Sequence, residues 1–204
     1  MAEITAQLVK QLRELTGAGM MECKSALVEA QGDLAEGQVV LRKRGIASAA
    51  HKASRATGQG VIASYIHPGA QLGVLVEVNC ESDFVARTDE FRQLVHNLAM
   101  QVAAADPRFI RREDVTAELL EKEREIQRAR ALAEGKPEKV VDKMVEGRLS
   151  KFYEEVCLYD QPFIRDNTLT VGQLIATKIA KIGENIAVSR FVRFKVGDRS
   201  GPAA

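Results

Sequence analysis

The side chains with most potential for nucleophilic or metal chemistry here are Cys23, Cys80, Cys157, His51, His67 and His96. Their spacing argues against both uses. A structural zinc ion needs four ligands in close pairs, and no two of these residues stand close enough to start one. An odd number of widely separated cysteines suggests no disulfide framework, and reads as small, partly buried thiols in a reducing compartment. A Cys–His couple through Cys80 or His67 would have to be assembled by folding from remote positions. The glycine cluster Thr16-Gly17-Ala18-Gly19 precedes a helical pattern but also follows one, so it lacks the strand that a dinucleotide-binding turn requires. There is no GxSxG elbow and no HExxH pair. No cofactor, no metal and no covalent catalysis are therefore expected. Asp83-Phe84 stands out for another reason: it lies between a strand end and a helix start, where side chains are often presented to partners. By residue type alone, Phe84 suits a core and Ser82 or Asp83 a helix cap.

The elements that must position these residues follow from composition and periodicity. The chain has 204 residues, 46% hydrophobic and 28% charged, which excludes wholesale disorder. Aromatic residues are 5% and Trp is absent, so the core must be mainly aliphatic. With 29 basic against 28 acidic residues the formal charge is +1, which argues against a dedicated nucleic-acid binder. No apolar run approaches the roughly 20 residues that span a bilayer, and the start lacks a basic-then-apolar export pattern. The expectation is a cytoplasmic protein with no membrane attachment.

Ile4, Leu8, Leu12 and Leu15 recur at helical spacing, with Thr16–Gly19 as the stop. A second helix is expected from Met20 to Ala30. Asp33 is placed to cap a third, which turns Leu34, Val40 and Leu41 inward and ends at Gly45. Residues 1–45 thus read as a miniature three-helix bundle. Residues 46–60 have the Ala/Ser/Gly/Lys composition of a linker. From Gly37 to Val76 there is no Asp or Glu, while Arg42, Lys43, Arg44, Lys52 and Arg55 give a basic run. That run is either solvated or turned to an acidic partner.

After Gly60 the period becomes two. Val61–Ile66 and Leu72–Val78 read as a hairpin around Pro68-Gly69. Phe91, Leu94, Val95, Leu98 and Val102 line a helix that Asp106-Pro107 stops. A helical hairpin over about 113–158 is broken at Gly135 and Pro137, with Val141, Val145, Leu149, Phe152 and Val156 as its stripe. Gln161-Pro162-Phe163 lies in a polar loop. Thr170 caps a short helix that runs through Lys181 and stops at Gly183. Ile186–Val196 is a strand with Val188, Val192, Phe194 and Val196 toward a core, most simply a third antiparallel member of the sheet. The class is α+β: a core domain over 61–198, then a frayed tail over 199–204.

Three segments carry a resemblance. TGAGMMECKSAL (Thr16–Leu27) and SDFVART (Ser82–Thr88) resemble the two signatures of the bacterial elongation factor Ts family. Gly135–Asp166, with its Gln-Pro-Phe loop, resembles the family's later portion. Ser82 stands where the family commonly has Thr, and either hydroxyl can cap. The family's long form carries two related core subdomains, whereas only one strand hairpin is found here, as in its short forms.

The resemblance implies a guanine-nucleotide exchange factor for the GTPase elongation factor Tu. It implies an N-terminal ubiquitin-associated-like domain and a core domain with a protruding helical hairpin. It also implies that Ser82, Asp83, Phe84 and Val85 form the element that dislodges Mg²⁺ from the GTPase, with Phe84 outward. Gly19, Met20, Met21 and Lys24 would dock on the nucleotide domain, although the bundle core claims one of the methionines by residue type. A homodimer could supply a missing core half. The competing class is an adaptor that binds proteins and leaves nucleotides untouched.

Overall fold

The computed structural model describes residues 4–135 and 137–198; the tail expected over 199–204 lies outside them. The described residues form two compact units: those up to 61 with 78–92 and 173–187, and 62–77 with 93–172 and those from 188 on.

Three helices open the chain: α1 (Ala6–Thr16), α2 (Met20–Glu29) and α3 (Leu34–Lys52). Their ends are set locally. Gly17 closes α1 at φ +70°, a conformation that suits glycine, and the Asp33 side chain accepts from the Glu36 N–H at 2.9 Å. Val9, Leu12, Cys23, Ala26, Leu27 and Val40 make the bundle core, with Ile4, Leu8, Leu34 and Leu41 packed at its margin. Leu15, expected on the inward stripe, is exposed. The buried face of α1 is rotated to Val9, Leu12 and Thr16, whose hydroxyl donates to the Leu12 carbonyl at 2.7 Å and sits 4.0 Å from Cys23 Sγ.

Gly45 does not end the third helix. α3 runs on to Lys52, so the first seven residues of the expected linker are helical. Gly45 is buried, and a Cβ there would lie 3.7 Å from the Ala180 Cβ and 3.9 Å from the Ala176 carbonyl. Those are ordinary contact distances, so α3 packs on a later helix here with room for a methyl group but for little more. Of the basic run, Arg44 pairs with Glu29 at 2.7 Å and Arg55 with Glu81 at 3.4 Å.

β1 (Gln59–Ile66) and β2 (Leu72–Cys80) form the expected hairpin, and α4 (Asp83–Ala86) and α5 (Asp89–Ala105) follow. Val74, Val76, Val78 and Cys80 alternate inward along β2. Phe91, Leu94, Val95, Leu98 and Val102 are all buried on α5, and Asp106 leaves that helix at φ +47°. A 3₁₀ turn at Arg112–Asp114 leads into α6 (Ala117–Ala133) and α7 (Glu138–Val156), the expected hairpin within slightly narrower bounds. Ala131, Val141, Val145 and Leu149 form its seam. Arg148 clasps both carboxylate oxygens of Glu134 at 2.8 Å across it, and Arg128 meets Asp142 at 2.7 Å.

The segment expected as a polar loop pairs instead: β3 (Pro162–Phe163) lies antiparallel to β4 (Asp166–Thr170). Gln161 is buried and donates to the carbonyls of Glu155 and Ala105 at 2.9 and 3.3 Å. Buried Gln101 donates to the Gln161 side chain and to the Pro162 carbonyl, each at 3.2 Å, and accepts from the Ile164 N–H at 2.9 Å. These amides satisfy one another, which is why polar residues there are compatible with burial.

α8 (Val171–Ile182) ends at Gly183, φ +88°, and β5 (Ile186–Lys195) completes a three-stranded antiparallel sheet of order β1-β2-β5. Ile186 and Val188 are buried, but Ser189 and Arg190 are successively exposed and break the alternation. The expected inward parity is lost beyond them. Val192 is only half-buried, and Phe194 and Val196 are exposed.

If Gly45 is a packing position and not a stop, Gly45→Ala should keep or raise stability, by about 0.5–1 kcal/mol, because alanine is the better helix former. Gly45→Leu should lower it by about 1–3 kcal/mol through overpacking. Urea denaturation checks both, and a destabilising alanine would contradict the room described for a Cβ at this position.

Candidate partner-binding site

β2 ends at Cys80, and the chain turns through Glu81 and Ser82 into the single turn of α4. Ser82 is the cap: its Oγ accepts from the Val85 N–H at 3.3 Å. Asp83 is not. Its carboxylate faces solvent and takes a hydrogen bond from Arg87 Nη2 at 2.8 Å. Val85 and Ala86 turn inward, at 6% and 7% exposure, while Phe84 is 76% exposed. The aromatic ring that residue type assigned to a core points out of the protein. Below it the turn is continued by Thr88, whose Oγ1 donates to the Val85 carbonyl at 2.8 Å and accepts from the Phe91 N–H at 3.3 Å.

The corner is held from behind by residues that the sequence reading did not single out. Glu184, just past the α8 stop, accepts from the N–H groups of Glu81 and Ser82 at 3.1 and 3.0 Å through Oε2, and from the Ser82 hydroxyl at 2.6 Å through Oε1. Glu81 in turn accepts from the Asn185 N–H at 2.6 Å, and Asn185 Nδ2 donates to the carbonyls of Ala53 and Arg55 at 3.3 and 2.9 Å. Glu184 lies 102 residues from Ser82, so no local pattern could have linked them. The only hint was an acidic residue directly after a helix-stop glycine.

Gly19, Met20, Met21 and Lys24 are all exposed at the start of α2. The expectation of one methionine in the bundle core fails: Met20 is 57% and Met21 75% exposed. Cys23, Ala26 and Leu27 supply the inward face of α2, and the two methionines lie off it. The helix start is fixed by Glu22, whose carboxylate accepts from the Gly19 N–H at 3.1 Å. This loop and the Ser82 turn belong to the same unit. In that unit Lys181 Nζ lies 2.7 Å from Glu90 at the start of α5 and 3.2 Å from where a Gly17 Cβ would be. Burial pushes the Glu90 carboxyl upward, but Lys178 and Lys181 outweigh it and hold the group below its ordinary 4.5. A depressed carboxyl contributes stability that is fully present above 4.5 and fades as pH falls through its folded value.

All three thiols are buried and free. Burial, and then the charge of Glu184, raises Cys80, while burial pushes Cys157 up to about 11. His67 is engaged with the Tyr65 hydroxyl at 3.1 Å, and His96 stacks edge-on to the Tyr65 ring. Among the described residues no group of three or more His, Cys, Asp or Glu could hold a metal ion, and no helix is long and apolar enough to cross a membrane.

The geometry thus presents a hydrogen-bonded turn with an exposed aromatic ring, and a helix start with an exposed pair of methionines and a lysine. The elongation factor Ts family model matches residues 3–198. Similar proteins, each named elongation factor Ts, occur in Solibacter usitatus (75% identical, covering 98% of this chain and 95% of the relative), Koribacter versatilis (62%; 96% and 89%) and Carboxydothermus hydrogenoformans (60%; 96% and 90%). The chain belongs to the elongation factor Ts family. It is accordingly a translation elongation factor, a nucleotide exchange factor for elongation factor Tu.

Because thiolate is the reactive form and both raised thiols are buried, native protein at pH 8 should resist iodoacetamide. All three cysteines should react once it is unfolded, as read by intact mass. Fast labelling of Cys80 in the native state would contradict the burial described.

Proposed function

We propose that the Ser82–Val85 turn is the working end of the factor, and that Phe84 enters an apolar crevice beside the Mg²⁺ site of elongation factor Tu. The observation that carries this reading is a large aromatic ring, 76% exposed, on a turn hydrogen-bonded from below. An apolar group held out in water gains by burial in a partner, and a turn already ordered loses little freedom on docking. Entry of the ring displaces the segment that holds Mg²⁺, and the GDP phosphates lose the charge that neutralised them. Asp83, paired with Arg87, steadies the rim, and buried Val85 anchors the turn from beneath. Gly19, Met20, Met21 and Lys24 form the second contact, on the nucleotide domain: methionines adapt to a partner surface, and Lys24 meets an acidic residue there.

The factor itself needs no cofactor and makes no covalent bond; it stabilises the nucleotide-free GTPase. By linkage, whatever factor it weakens GDP by, GDP weakens it by the same factor. We place this work in the cytoplasm, with elongation factor Tu as partner and with no membrane or direct nucleic-acid contact.

A buried aromatic anchor is worth about 2–4 kcal/mol, so Phe84→Ala should slow stimulated release of fluorescent GDP at least tens-fold while leaving the thermal transition in place. Met20→Ala with Met21→Ala should instead raise the factor concentration needed for half-maximal release and spare the maximal rate. Near-normal release by Phe84→Ala would reject the wedge. Complex formation without any acceleration by the unsubstituted protein would favour an adaptor.

We also propose a homodimer. Ile66, Leu75, Phe194 and Val196 line one open apolar hollow in the second unit, the sort of patch that marks an interaction surface, and a second copy is the occupant that supplies the absent core half. Sedimentation should find a dimer at micromolar concentration and a monomer for Phe194→Asp. A wild-type monomer would defeat the assignment.

A further inference from the structure

We infer that Glu184 is a positioning residue for nucleotide exchange: its carboxylate sets the direction in which Phe84 points. The inference rests on the wedge reading of Phe84 and deepens it.

Three hydrogen bonds converge on this one side chain. Oε2 takes the N–H groups of Glu81 and Ser82 at 3.1 and 3.0 Å, and Oε1 takes the Ser82 hydroxyl proton at 2.6 Å. With its proton committed to Glu184, the Ser82 oxygen turns a lone pair to the Val85 N–H at 3.3 Å. The chain Glu184–Ser82–Val85 therefore fixes the peptide on both sides of Asp83 and Phe84. The clasp is reciprocal, since Glu81 accepts from the Asn185 N–H at 2.6 Å and from Arg55 at 3.4 Å. Two neighbouring carboxylates each seize the other segment's backbone, so the corner cannot swivel without breaking charge-assisted bonds on both sides. Glu184 is half-buried behind the corner, whereas Phe84 stands out in front. It acts through the ring and does not itself meet the partner.

The test separates reach from charge. Glu184→Gln keeps the reach: its amide oxygen accepts both N–H groups and its NH₂ donates to Ser82. Glu184→Asp keeps the charge but is one methylene short. At saturating factor, Glu184→Gln should release GDP within about threefold of wild type, and Glu184→Asp should be slower by roughly tenfold or more. In a Phe84→Ala background, Glu184→Asp should slow release no further, because the ring it aims is gone, while the thermal midpoint falls equally in both backgrounds. Wild-type release by Glu184→Asp beside a slow Phe84→Ala overturns this inference alone, as does an undiminished loss in the double variant. Normal release by Phe84→Ala overturns the wedge first, and this inference with it.

Discussion

One carboxylate organises the exposed end of this protein. A turn between a strand and a short helix has several backbone donors with no partner in either element, and left to water it would sample many conformations. Glu184 accepts two of those donors and the capping hydroxyl at once. An ionised acceptor makes each bond stronger than a neutral one would. The consequence is local rigidity beneath a side chain that is itself unburied. That combination is rare in a stable protein, because an aromatic ring normally secures its own backbone by packing. Here the securing is done by hydrogen bonds, which leaves the ring exposed.

The same division of labour appears at the start of α2. Glu22 reaches back to the Gly19 N–H, and Cys23, Ala26 and Leu27 hold the helix to its neighbours, so Met20 and Met21 are released from any structural duty. Both proposed contact patches are thus built from small or polar anchoring residues inside and large apolar ones outside. The ion pairs of Lys178 and Lys181 with Glu90, each 2.7 Å, lie within the same unit and tie α8 to the first turn of α5.

Features with a local cause were legible in the sequence. The cap at Asp33, the stops at Gly17, Gly183 and Asp106-Pro107, the α5 stripe and the α6–α7 hairpin each depend on residues within a few turns of one another, and each stands as read. The misreadings share the opposite character. Gly45 reads as a stop because glycine commonly ends helices, whereas its surroundings are set by Ala176 and Ala180, far along the chain. Phe194 and Val196 were placed inward by strict alternation, which the exposed pair Ser189-Arg190 interrupts. Gln161 was assigned to a solvated loop because its partner, Gln101, lies 60 residues away. Residue type places Phe84 in a core, yet it is 76% exposed, and only the family resemblance points it outward.

The clasp joining residues 81–82 to 184–185 has a consequence for biosynthesis. Its halves are separated by most of the C-terminal part of the chain, so contacts of this span form late and slowly. A nascent chain that has emerged only as far as α7 carries Phe84 without the carboxylate that seats it. The turn that carries Phe84 is thereby left without its full set of hydrogen bonds until residue 184 has been made and has folded back.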